Sequence, residues 1–108
     1  MKFGTALIFG LLFPSAAFAQ TQNECIDKLD AAAIKTGLLQ NYKLEGRKAV
    51  LFVNESMWNK LYVDVKEGFA ETVNCAIAGP GMAIVIDFRG SKSGKTLANW
   101  DGLHLSFD

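Results

Sequence analysis

Candidate catalytic and metal-ligating side chains are few in this sequence of 108 residues. His104 is the only histidine, and no second His or Cys lies at ligand spacing from it. Because a zinc site needs three or four such ligands, we expect neither a metal nor another cofactor. The Gly-x-Ser-x-Gly motif of serine hydrolases is also absent, so a catalytic serine would have to meet His104 and a carboxylate through the fold alone.

Residues 90–96 read Gly-Ser-Lys-Ser-Gly-Lys-Thr and end like a nucleotide-binding P-loop. A P-loop needs four residues between its glycines, so that successive N–H groups surround the phosphates, and this segment has three. We therefore expect a solvated basic turn at this place instead of a nucleotide site. Lys92 and Lys95 of this turn are candidate partner-binding residues.

Asp87 is the acid in the least usual position, inside the apolar run of residues 82–88. A buried carboxylate needs a hydrogen-bond partner, so we expect a structural role for Asp87. Its candidate partners are a turn N–H, Arg47, Lys48 and Lys95.

Glu67 and Glu71 are spaced i,i+4 and would share one face of a helix. We expect that face to be in water, since other charged residues lie on it. A raised carboxyl pKa needs burial or a forced approach of like charges, so a solvated pair is favoured over a catalytic pair.

Three aromatic side chains could stack on a sugar or a partner peptide. Trp58 and Tyr62 fall on the apolar stripe of a predicted helix, which favours the core for both. Trp100 precedes the turn Asp101-Gly102 at the end of a predicted strand, and we expect it to be partly exposed. Trp100, together with the basic turn, is the candidate partner-binding surface.

The charges of the chain balance, with 11 basic and 11 acidic residues. Proteins that bind phosphate backbones or anionic membranes use clustered excess Lys and Arg. The composition therefore disfavours nucleic acid as a partner. A 50% hydrophobic and 11% aromatic content is typical of a folded globular domain.

Residues 1–19 have the order of a secretory signal peptide: Lys2, an apolar run over residues 6–13, and Ala17-Phe18-Ala19. The apolar run is shorter than the roughly 20 residues that cross a bilayer, so we expect cleavage after Ala19 and no stable membrane insertion. The sequence thus predicts a protein of the bacterial periplasm or exterior.

Cys25 and Cys75 are the two cysteines of the chain. In an oxidising compartment they could form a disulfide that closes a loop of about 50 residues and stabilises the fold by roughly 4 kcal/mol. Two buried free thiols and an intermolecular bridge remain as alternatives, because spacing alone does not establish that the two side chains meet.

Local patterns predict one α+β domain over residues 20–108. A capping box at Thr21 and Glu24 predicts a helix over residues 23–36, and Gly37 suits its C-terminal cap. A strand is predicted over residues 47–53, and the segment before Gly46 could pair with it. We expect an antiparallel sheet of two hairpins with a long amphipathic helix, about residues 55–78, packed on one face. The remaining strands are predicted at residues 82–88, 96–100 and 103–107.

One group of motifs comprises Trp58, residues 66–70, Cys75, Asp87 and residues 93–100. Their layout resembles that of small exported bacterial proteins of unassigned function. The resemblance implies a compact exported domain and assigns no site residue.

These observations favour a non-enzymatic protein that binds an envelope or extracellular protein or polymer, through a sheet edge or through the surface at Trp100 and the basic turn. Two alternatives stay open. One is a small hydrolase or hydrolase inhibitor acting on cell-wall or extracellular polymer, with Asp87 or Glu71 as its acid. The other is a carrier with an apolar pocket between helix and sheet.

Overall fold

The computed structural model describes residues 21–107, and the expected signal peptide lies outside this range. Helices and one five-stranded sheet make up an α+β domain, which confirms the predicted class. In chain order the elements are α1 Gln22–Leu29, a π-helical segment Asp30–Ile34, β1 Leu39–Glu45, β2 Lys48–Val53, α2 Glu55–Asn59, α3 Val63–Ala78, β3 Val85–Gly90, β4 Thr96–Trp100 and β5 Leu105–Phe107.

The N-terminal helix begins with the predicted capping box. The backbone N–H of Glu24 donates to Thr21 Oγ1 over 3.1 Å, and the Thr21 N–H donates to Glu24 Oε1 over 2.8 Å. Two of the free N–H groups at the helix start are thereby satisfied. The chain continues as a π-helical turn to Ile34, and Gly37 then reverses it with a φ of 88°.

The β1–β2 hairpin forms at the predicted glycine. Glu45 pairs with Lys48 across a two-residue turn in which Gly46 has a φ of 65°. A positive φ is accessible to glycine without the steric cost that a Cβ brings. Along β2, side chains alternate, and Ala49, Leu51 and Val53 point into the core.

The sheet is mixed, so the expectation of two hairpins in an all-antiparallel sheet is wrong. The strand order is β1-β2-β3-β4-β5, and β2 pairs with β3 in parallel. The reason is that α2 and α3 connect these two strands and return the chain to the end of the sheet where β2 began, and such a crossover makes the two strands parallel. The pairs β1–β2, β3–β4 and β4–β5 are antiparallel.

The helix expected over residues 55–78 is interrupted. Asn54 Oδ1 accepts from the Met57 N–H over 3.0 Å and starts α2, which ends at Asn59. Tyr62 then has an extended backbone and an exposed side chain before α3 begins. An unbroken helix would advance about 16 Å between Trp58 and Phe69. With the break, both side chains enter one core, where their ring centroids lie 6.2 Å apart.

The core lies between the helices and one face of the sheet, which we call the helix face. Trp58 stacks on Phe88 at 5.2 Å, and Phe69 lies 5.5 Å from the same ring. The predicted apolar stripe is therefore buried at Trp58, Phe69 and Val73, but Tyr62 is 79% exposed.

A disulfide joins Cys25 of α1 to Cys75 of α3, with a Cα–Cα distance of 5.8 Å. The predicted intramolecular disulfide is thus confirmed, in place of two free thiols or an intermolecular bridge. Within residues 21–107, no helix has both the length and the apolar character needed to cross a bilayer.

Candidate functional site

The parallel pairing of β2 and β3 places their carboxyl ends at the same edge of the sheet. The crevice outside the carboxyl ends of parallel strands is a common place for ligand sites in proteins with such sheets. In this protein the segment Ser91–Lys95, which we call the 91–95 loop, lies there. The Ser91 N–H donates to the carbonyl oxygen of Val53, the last residue of β2, over 2.8 Å.

Backbone hydrogen bonds close the 91–95 loop on itself. The Gly94 N–H donates to the Gly90 carbonyl over 2.9 Å, and the Gly90 N–H donates to the Lys95 carbonyl over 3.0 Å. The Lys95 N–H donates to Ser93 Oγ over 3.1 Å. These bonds satisfy backbone groups that an open loop would leave to water.

Side chains from three other elements also hold the loop. Ser91 Oγ donates to Gln40 Oε1 of β1 over 2.9 Å, and Ser93 Oγ donates to Glu55 Oε1 of α2 over 2.7 Å. The guanidinium Nη1 of Arg89 donates to the Gly94 carbonyl over 3.1 Å. The loop is therefore fixed to β1, α2 and β3 at the same time.

Gly90 allows the Glu55 carboxylate to approach the end of β3. A Cβ at position 90 would overlap Glu55 Oε1 and would come within 2.7 Å of Ser93 Oγ. Any other residue there would displace the acceptor that holds Ser93. This is a packing requirement, since Gly90 has no positive φ.

Lys92 and Lys95 are exposed on this fixed loop, as the sequence predicts. Within residues 21–107 neither ammonium group has an ion-pair partner. The loop thus presents two positive charges on a backbone that hydrogen bonds already hold in place.

Trp100 does not join this surface, and the expectation that it is partly exposed is wrong. Its side chain is 4% exposed, and its Nε1 donates to Asn74 Oδ1 of α3 over 3.2 Å. Trp100 pairs with Ile86 and lies on the helix face, so strand alternation turns it inward. It also lies at the far end of β4, about 17 Å along the strand from Lys95.

Asp87 has a structural partner, but not one of those expected. Its side chain lies on the face of the sheet opposite the helices and is buried, and its Oδ2 accepts from Arg89 Nε over 2.8 Å. Asp87 Oδ1 has no hydrogen-bond partner within the described residues. The two residues are spaced i,i+2 on a strand and so share a face, a signal that could have identified Arg89.

Arg89 connects this buried acid to the candidate site. One end of its guanidinium contacts Asp87 and the other contacts the carbonyl of Gly94. Asp87 therefore positions the cation that holds the 91–95 loop.

Glu71 on α3 is less solvated than expected. Its Oε1 is buried and has no hydrogen-bond partner within the described residues. Burial raises the pKa of the Glu71 carboxyl above its ordinary value, and the nearby Glu67 raises it further. Glu71 and Asp87 lie on opposite sides of the sheet, so the structure does not bring the two candidate acids together.

His104 lies in the exposed turn between β4 and β5. Asp101 Oδ1 accepts from the backbone N–H groups of Leu103 and His104 over 2.8 and 2.7 Å. These bonds, the one from His104 first, lower the pKa of Asp101. Over residues 21–107, no group of three or more His, Cys, Asp or Glu side chains could hold a metal ion.

No family model matches this chain, and no curated protein or solved structure is significantly similar to it. The resemblance to small exported bacterial proteins therefore rests on the sequence motifs alone.

Proposed function

We propose that this chain is an exported binding protein that presents the 91–95 loop, with Lys92 and Lys95, to an acidic envelope or extracellular partner. One observation carries the proposal. The loop is held by side chains of Gln40, Glu55 and Arg89, while the two lysines are exposed and have no ion-pair partner among residues 21–107.

A fixed loop favours binding for a thermodynamic reason. Ordering a flexible loop and its side chains on association opposes binding, and a loop that is ordered beforehand avoids part of that cost. The positive charges of Lys92 and Lys95 would steer an acidic surface toward the loop and disfavour a basic one. The chain has no formal net charge, so this selectivity would come from the local pair.

The disulfide supports the extracytoplasmic part of the proposal. Disulfides persist in oxidising compartments and are rare in the cytosol. The Cys25–Cys75 bridge is compatible with such a compartment. Secretion through a cleaved signal peptide at residues 1–19 remains part of the proposal.

The test is a comparison of captured partners from envelope extract. The wild type, a Lys92→Glu/Lys95→Glu variant and a Lys35→Glu/Lys60→Glu control are immobilised, and bound proteins and polymers are quantified. Lys35 and Lys60 are also exposed and lie outside residues 91–95, so the control makes the same charge change without altering the loop lysines. We expect the wild type and the control to retain the same partner and the loop variant to lose it. Equal recovery by all three proteins would contradict the proposal.

A hydrolase acting on cell-wall or extracellular polymer is the second candidate, and Glu71 is the observation that favours it. A raised pKa keeps a larger share of a carboxyl protonated at a given pH, and a general acid must be protonated to act. The test measures the release of soluble fragments from purified cell wall by the wild type and by Glu71→Gln. Release by the wild type that Glu71→Gln abolishes would support an enzyme, and no release by the wild type would contradict it.

A further inference from the structure

β1 is an edge strand of the sheet, and most of it is exposed. Only β2 pairs with it among the described strands, and every residue from Gln40 to Glu45 is exposed. In an antiparallel pair, alternate residues direct their N–H and C=O groups to the partner strand and away from it. Glu45 closes the two-residue turn with Lys48, so its backbone faces β2, and the backbone of Leu44 faces outward.

The Tyr42 backbone confirms this alternation. Its N–H donates to Asn41 Oδ1 over 2.9 Å, which shows that this group does not face β2. The side chain of Asn41 thereby occupies the outward N–H nearest the middle of the strand. Leu44 remains as the outward backbone position whose N–H has no side-chain acceptor in the described part of the chain.

The side chains of β1 divide by face. Tyr42 pairs with Leu51 and Leu44 pairs with Ala49, so both lie on the helix face, where each is 56% exposed. Lys43 and Glu45 lie on the other face, with Lys43 Nζ 3.2 Å from Glu45 Oε2. The edge therefore combines two exposed apolar side chains with one cation and one anion.

We propose that β1 pairs antiparallel with β1 of a second copy of this chain, with Leu44 of each copy opposite Leu44 of the other. In this register the two Leu44 residues exchange both backbone hydrogen bonds. Lys43 of each copy then lies opposite Glu45 of the other in a non-hydrogen-bonded pair, where side chains are closest. Tyr42 of each copy lies diagonal to Leu44 of the other and covers the apolar side of the contact.

Charge complementarity is what selects a second copy as the occupant. Exposed lysines on edge strands oppose pairing with unrelated strands, because an incoming strand must place an acid opposite the lysine. This chain carries that acid two residues away, at Glu45, and a two-fold axis at Leu44 brings the two together. A two-fold contact of this kind is self-complementary and closes after two copies.

Other registers are less favourable for reasons visible in β1. Centring the pair on Tyr42 would require the backbone N–H of Tyr42, which already donates to the side chain of Asn41. Centring it on Lys43 would place two lysines opposite each other. On the N-terminal side, the strand has a register shift between Leu39 and Asn41, and Gln40 is bonded to Ser91. Pairing is therefore confined to the C-terminal half of β1.

The test uses a charge swap read by sedimentation equilibrium over a wide range of protein concentrations. We expect a concentration-dependent dimer for the wild type. Lys43→Glu alone and Glu45→Lys alone each turn two attractions into repulsions and should weaken dimerisation by at least about tenfold. The double variant Lys43→Glu/Glu45→Lys should restore it. A matched swap of the exposed ion pair between Asp30 and Lys35, which lies outside β1, should leave it unchanged.

A second readout fixes the register and does not depend on the charge variants. A Leu44→Cys variant should form a covalent dimer with a short bifunctional thiol cross-linker, whereas Tyr42→Cys should not, because the two Leu44 residues lie opposite each other and the two Tyr42 residues are offset by four positions along the strands. The thermal melting temperature of every variant is measured to show that each one folds. The proposal is overturned if the wild type is monomeric at all concentrations, if the charge swap fails to restore the dimer, or if Tyr42→Cys cross-links and Leu44→Cys does not.

Discussion

The side chain of Arg89 donates to a carboxylate and to a backbone carbonyl, and each of these bonds has its own effect. It neutralises the buried carboxylate of Asp87, and it holds the carbonyl of Gly94 in the 91–95 loop. A buried ion pair contributes little by itself, but removing one partner leaves an uncompensated charge. The loss of Arg89 should therefore affect both the stability of the fold and the order of the loop.

We predict that Arg89→Met lowers the free energy of unfolding by about 2 kcal/mol, less than for a fully buried pair because Arg89 is partly exposed. Urea denaturation measures this value. The double variant Asp87→Asn/Arg89→Met should recover part of the loss, because a neutral amide is easier to bury than a carboxylate. A double variant as unstable as Arg89→Met alone would contradict the account.

Glu71 should make stability depend on pH. Burial first, and Glu67 second, raise the pKa of Glu71 in the folded protein above the ordinary value of 4.5. The folded state therefore binds this proton more tightly than the unfolded state does. The stabilising contribution of protonated Glu71 is present below the ordinary pKa and is lost as the pH rises through the folded pKa.

We predict that Glu71→Gln raises the melting temperature at pH 7 and leaves it nearly unchanged at pH 3.5. Thermal denaturation followed by circular dichroism at the two pH values measures the difference. Glu67→Gln should give a smaller gain of the same sign at pH 7, because it removes only the second cause. A lower melting temperature for Glu71→Gln at pH 7 would contradict this assignment.

The 91–95 loop depends on the close approach of α2 to the end of β3. The contact exists because Gly90 has no Cβ where the Glu55 carboxylate lies. Ser93 is bonded to that carboxylate, so a change at position 90 reaches the loop without touching either lysine.

We predict that Gly90→Ala displaces Glu55 and loosens the 91–95 loop while both lysines remain. Backbone 15N relaxation should show lower order for residues 91–95 in this variant than in the wild type. Gly94→Ala is not a suitable control, because Gly94 has a φ of 72° and would itself be strained. Ser106→Ala, an exposed change on β5, serves instead. Unchanged order in Gly90→Ala would contradict the proposed anchoring.

Elements with local signals could be predicted from the sequence. The capping box at Thr21 and the turn at Gly46 depend on residues close in the chain, and both form as expected. The parallel neighbours β2 and β3 are separated by two helices, and no local pattern specifies that pairing. The break between α2 and α3 could not be predicted. Apolar residues show similar spacing whether they form a stripe on one long helix or lie on two helices that share a core.

The candidate site was predicted only in part, because local signals in the sequence do not reveal contacts between residues that are distant in the chain. The exposure of Lys92 and Lys95 follows from the turn composition around them. The anchors at Gln40 and Glu55 are distant in sequence and meet the loop only through the fold. Residues two apart on a strand share a face, so Ala98 and Trp100 of β4 both lie on the helix face. This spacing is a signal from which the burial of Trp100 could have been inferred.

The disulfide supplies a covalent constraint that a protein with a small core needs. It ties α1 to α3 across a sequence separation of 50 residues. Small domains bury a smaller fraction of their surface than large ones do, so their free energy of unfolding is small. A disulfide therefore contributes a large share of it. The two helices on the helix face are thus held as one layer.

We predict that Cys25→Ser/Cys75→Ser lowers the free energy of unfolding by about 4 kcal/mol, the value of the loop-closure entropy model. Urea denaturation of the wild type with and without a reducing agent provides the comparison. The reducing agent should destabilise the wild type and should have no effect on the double variant. A wild type equally stable in both conditions would show that the bridge is not a stabilising element.

An NMR titration of the 15N-labelled protein with the captured partner tests whether the 91–95 loop is the binding surface. We expect the largest shift changes at residues 91–95 and at the residues that anchor them, and we expect no such changes in Lys92→Glu/Lys95→Glu. Shift changes centred on Trp100 or on β5, with the 91–95 loop unaffected, would contradict the proposal.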